Sequence, residues 1–92
     1  MTDLFERHLQ PSAEAIESTV ADETVLLHLG NETYYGLDPV GTRIWDLLKQ
    51  GDAPLAICDI VSREYAVDRE TVRMDLRDFL GELVAHGILV ES

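Results

Sequence analysis

The apolar and polar positions change period part-way along the chain, and that change marks out its elements. Val25, Leu26, Leu27 and Leu29 form an almost wholly apolar run, and Tyr34 and Tyr35 form a second. Between them, Gly30 and Asn31 tolerate positive φ, so the pattern predicts a β-hairpin. With Gly30 and Asn31 at the centre of the turn, Leu29 faces Glu32, Leu27 faces Tyr34 and Val25 faces Gly36. One face then carries Val25, Leu27, Leu29 and Tyr34, and the other carries Leu26, His28 and Tyr35. Upstream, residues 13–21 mix alanine and glutamate with Ile16, Thr19 and Val20. A strand from Ala15 is the better reading, because a lone hairpin is marginal in water and the apolar run needs a neighbour. The third strand then covers residues 32–37.

From residue 38 the spacing becomes helical. Asp38 offers a capping carboxylate, and Pro39 lacks an amide proton that would have no partner in a first helical turn. The first helix runs from Pro39 to about Gln50, buries Val40, Ile44, Trp45, Leu47 and Leu48, and ends at Gly51, which suits a left-handed cap. A second spans about Ala53 to Glu64, with Asp52 as its cap and Leu55, Ile57, Cys58, Ile60 and Val61 as its apolar residues. After a linker over residues 65–67, Asp68 caps a third helix reaching about His86. Its stripe of Val72, Leu76, Phe79, Leu80 and Leu83 recurs at spacings of three and four. Gly87 ends it, and Ile88, Leu89 and Val90 can fold back on the core.

Three strands followed by three helices outline an α+β fold, a winged helix-turn-helix with a three-stranded antiparallel N-terminal sheet. Residues 1–12 are expected to form a weakly ordered arm ahead of one domain over residues 13–92. A chain of 92 residues with 46% apolar content can build one core.

Charge narrows the partners. Eighteen acidic against seven basic residues give a formal net charge of −11, which repels a phosphate backbone. Nucleic acid is therefore not the expected partner. The single cysteine, Cys58, cannot form an intramolecular disulfide and points to a reducing, cytoplasmic setting. No apolar run nears the about 20 residues that span a bilayer, and no secretory signal precedes residue 13, so no membrane partner is expected.

Catalytic chemistry is not legible. His8, His28 and His86 are scattered without ligand spacing, so neither a metal nor another cofactor is expected. Cys58 sits among apolar residues without a neighbouring base. Phosphate loops, nucleophile elbows and catalytic carboxylate pairs are missing, and the chain reads as a non-enzyme. On the third helix Arg69, Arg73 and Arg77 recur every four residues, with Asp75, Asp78 and Glu82 along the other flank. The arginines read equally as a rail for an acidic or DNA ligand and as a solvated face held by local ion pairs. The third strand, if it is a sheet edge beside the third helix, can pair with an incoming extended peptide.

The hairpin, the run Tyr34-Tyr35-Gly36-Leu37-Asp38-Pro39-Val40-Gly41, Ile44-Trp45, Gly51, Ile60-Val61, Asp75-Leu76, Phe79-Leu80, Leu83 and Gly87 together resemble the PqqD-like family over about residues 13–90. These are the precursor-peptide recognition elements of ribosomally made, modified peptides, and the look is nearest to free-standing members that accompany lasso-peptide leader peptidases. Many members have asparagine where this chain has Asp38; either side chain can cap. The resemblance implies a non-catalytic protein that binds the leader of a precursor peptide by strand addition and delivers it to a leader peptidase, a radical-SAM enzyme or another modifying enzyme. It implies peptide-binding residues Thr33, Tyr34, Tyr35, Gly36 and Leu37 on the strand and Val72, Arg73, Leu76, Arg77 and Leu80 on the helix. A DNA-binding regulator and an oligomerisation subunit, homodimeric through the same edge, are the alternatives.

Overall fold

The computed structural model describes Phe5, residues 8–21 and residues 23–91. Strands precede helices in an α+β arrangement: β1 (Leu9–Pro11), β2 (Ala15–Val20), β3 (Glu23–His28), β4 (Thr33–Leu37), α1 (Pro39–Lys49), α2 (Pro54–Glu64), α3 (Arg69–Ala85) and β5 (Leu89–Glu91). β2, β3 and β4 form an antiparallel meander in that order, and β1 pairs with β5 in a separate two-stranded sheet.

The hairpin register is Leu27 opposite Tyr34 and Val25 opposite Gly36, as a turn centred on Gly30 and Asn31 predicts. Its turn is longer than the sequence suggests. The ladder stops at His28 opposite Thr33, so Leu29 and Glu32 do not pair, and the left-handed residue is Glu32 at φ 56 rather than Gly30 or Asn31. The cause is His28. Its Nδ1 accepts from the amides of Gly30 (3.1 Å) and Asn31 (3.2 Å), while the Glu32 amide reaches back to the His28 carbonyl at 2.8 Å. A short helical turn therefore replaces the two-residue loop.

The meander turns Thr24, Leu26, His28 and Leu37 into the interior and leaves Ile16, Val20 and Tyr34 exposed on its outer face. Against the inner face lie α1 and α3. Asp38 caps α1 by accepting from the Gly41 amide at 2.6 Å, and Gly51 at φ 90 follows the helix end. α2 begins without a side-chain cap: Ala53 is its N-cap, and Asp52 stands one residue too early. Asp68 caps α3 by accepting from the Thr71 amide. Trp45, Leu48, Ile57, Leu76, Leu80, Leu83 and Ile88 are almost wholly buried in one core. The Trp45 indole donates to Glu17 on β2 at 3.1 Å, and Lys49 donates to the same oxygen at 2.7 Å. Together they latch α1 to the sheet.

The expected weakly ordered arm lies partly outside the described residues. Its end, Leu9–Pro11, is a strand in register with Leu89–Glu91, and Phe5 and Leu9 are buried. Ile88, Leu89 and Val90 do fold back, and they supply the partner that this short stretch needs to pair.

Candidate functional site: a groove beside an edge strand

β4 is an outer strand of the meander, and among the described residues no strand pairs with its free edge. Beside that edge opens a groove of about 540 Å³ between β4 and the three helices. Its floor is apolar, built from Val40 and Ile44 of α1, Val61 of α2, and Val72, Leu76 and Phe79 of α3. Tyr35, Gly36 and Leu37 form the strand side, and Tyr65 and Val67 close the far end.

Side chains of the hairpin hold β4 at its distance from α3. The Asn31 side-chain amide donates to the His86 carbonyl at 3.0 Å, tying the turn to the end of α3. The Tyr35 hydroxyl donates to the Glu82 carboxylate, and its ring meets Phe79 edge-on at 6.1 Å and His86 at 6.0 Å. Burial, then the bond to Glu82 and its charge, push the Tyr35 hydroxyl up to about 12. Gly87 completes the contact, since a Cβ there would sit 3.3 Å from the His28 ring at a φ of 74.

The expected site residues divide. Tyr35, Gly36, Leu37, Val72 and Leu76 line the groove together. Thr33 begins β4, and Tyr34 points to the outer face, 73% exposed. The remaining three helix residues lie elsewhere. Leu80 is wholly buried in the core. Arg73 and Arg77 stand over the Phe5 ring, 5.7 and 5.6 Å from its centroid, and Arg69 pairs with Asp59 on α2. Residues four apart on a helix share a flank, and the arginine flank faces the N-terminal segment and α2. The groove instead meets the flank of Asp75 and Phe79.

Sequence reasoning passed over Val40, Ile44, Val61 and Phe79 as site residues because in sequence they look like core, and Tyr65 because it falls in the linker between α2 and α3. Phe79, three residues after Leu76, carried the one available signal. Cys58 is buried in α2, and burial pushes its thiol up, away from the reactive thiolate. Among the described residues no three His, Cys, Asp or Glu side chains converge as a metal site, and no helix is long and apolar enough to cross a membrane.

Comparison with known proteins follows the same outline. The profile of the family described as "Coenzyme PQQ synthesis protein D (PqqD)" matches residues 23–89. TbiB1, solved in complex with the TbiA(beta) leader peptide, is 49% identical, with a TM-score of 0.81 over 87% of this chain and 93% of that one. A lasso peptide synthetase B1 complexed with its leader peptide shares the fold at 20% identity, with a TM-score of 0.83 over 90% of this chain and 98% of that one. No curated protein matches the sequence.

Proposed function

The chain belongs to the PqqD family, and from that premise we propose that it binds the leader segment of a ribosomally made precursor peptide and delivers it to a leader peptidase or another modifying enzyme, without catalysing a reaction itself. One observation carries this reading: the unpaired edge of β4 runs along an apolar groove walled by α3. An extended peptide can continue the meander through main-chain hydrogen bonds, and its alternate side chains then point into the groove. The 49% identity to TbiB1, which was solved with a leader peptide, supports the same ligand class and a lasso-peptide setting.

In this reading α2 and α3 with the meander constitute a winged helix-turn-helix whose strand edge, rather than its last helix, is the working surface. The arginines of α3 support that choice over DNA. Arg69 is engaged by Asp59, and Arg73 and Arg77 are stacked over Phe5. A cytoplasmic location suits a protein whose cysteine is a buried thiol.

Titrating the isotope-labelled chain with the TbiA(beta) leader peptide tests the reading. Amide shifts should concentrate on Thr33–Leu37 and on the Val72–Phe79 side of α3; shifts confined to other surfaces would sink it. Gly36→Pro removes one edge amide, so a folded variant that binds the leader with unchanged affinity also counts against strand addition.

A further inference from the structure

The groove has a charge pattern that its apolar floor hides. Among the described residues, Asp38 and Asp75 are the charged ones that line it, and no lysine, arginine or histidine does. The two carboxylates come from different elements, Asp38 from the start of α1 and Asp75 from α3. One oxygen of Asp38 is used in capping α1. Asp75 is exposed, and among the described residues its side chain has no ion pair or hydrogen bond. The cations of α3 cannot neutralise this rim, because Arg69, Arg73 and Arg77 are directed to Asp59 and Phe5. One turn beyond Phe79, Glu82 extends the acidic flank while accepting from Tyr35.

We propose that the groove selects a basic peptide segment, in which a lysine or arginine lies along Val72, Leu76 and Phe79 and places its charged head against Asp75, next to a bulky apolar side chain in the pocket between α1 and α2. This inference rests on the leader-binding reading and narrows it to a ligand chemistry. Lysine and arginine answer both parts of the lining at once: the aliphatic stem covers apolar surface while the head stays at the wet rim. An acidic side chain at the same place would meet Asp38 and Asp75 on a protein of net charge −11, a repulsion that extends to the encounter itself. Alternation along the added strand puts the basic and the apolar residue two apart, on the face toward the helices.

Selection of random peptides of about 12 residues, enough to pair along β4 and cross the groove, should recover sequences with lysine or arginine two positions from a bulky apolar residue. The same selection on Asp38→Asn/Asp75→Asn should lose the basic preference. Asparagine retains capping ability at position 38, so this variant keeps α1 intact. A recovered peptide should bind Asp75→Asn about two- to fivefold more weakly, the range of a partly exposed ion pair. Its affinity for the native chain should also fall as salt approaches about 0.5 M. Peptides that shift the amides of Thr33–Leu37 yet carry neutral or acidic residues at that place would overturn the charge inference and leave leader binding standing. Basic peptides bound equally by the double variant would overturn it as well. If no peptide shifts those amides, both readings fail.

Discussion

His28 shows how much one side chain decides at the residue scale. It is 8% exposed, its Nδ1 accepts two turn amides, and its ring lies beside Gly87, so it shapes the hairpin loop and seats that loop on the end of α3. Replacing His28 by leucine retains apolar bulk but leaves the amides of Gly30 and Asn31 without that acceptor. The expected cost is about 1 kcal/mol, read as a lower midpoint in urea unfolding. Resonances of Asn31 and His86 should move with it. The sequence presented His28 as one position on the strand face shared with Leu26 and Tyr35, and Gly30-Asn31 as the turn-forming pair. That the imidazole would take over the turn depended on a hydrogen-bonding geometry that spacing alone does not contain.

Between elements, the bridge from β4 to α3 is the feature that opens and limits the groove. Tyr35 and Glu82 are 47 residues apart, and each looked ordinary in sequence: one of two adjacent tyrosines and one of many surface carboxylates. The Tyr35 hydroxyl is raised from 10.0 to about 12. A group with a raised folded pKa contributes stability that is complete below its unfolded pKa and is lost as pH rises through the folded one. The native chain should therefore lose stability between about pH 10 and 12, and Tyr35→Phe should lose less over that window, as followed by thermal melts. At neutral pH the same variant lacks the tie to Glu82 and should melt slightly lower. The helices themselves were legible. The Asp38-Pro39 start, the Asp68 cap and the glycines after α1 and α3 specify local hydrogen bonds, and these form whatever the helix packs against.

The two ends of the chain meet at the scale of the whole molecule. β1 and β5 pair, the Ser12 amide donates to the Ile88 carbonyl at 2.8 Å, and Phe5 and Leu9 enter the core. Leu9→Ala removes a side chain that is 5% exposed and should cost about 2 to 5 kcal/mol. A midpoint in urea unchanged by Leu9→Ala would show that this closure contributes little. Phe5 also carries Arg73 and Arg77 on its ring. The N-terminal segment thus takes up the arginine flank of α3 and leaves the acidic flank to the groove.

By itself the sequence determined that strands precede helices, the pairing of Leu27 with Tyr34, the caps of α1 and α3, and a family resemblance that pointed to peptide binding. The elements, the register and the caps follow from periodicity, turn placement and capping, which act over a few residues; the resemblance rests on the order of the matching residues. Tertiary structure decided which flank of α3 faces the groove, which apolar residues line a cavity instead of filling the core, and what the first residues pair with. Each of those depends on how far one element is rotated and displaced against another. That placement is set by the packing of the whole core, and the same run of residues is compatible with more than one rotation.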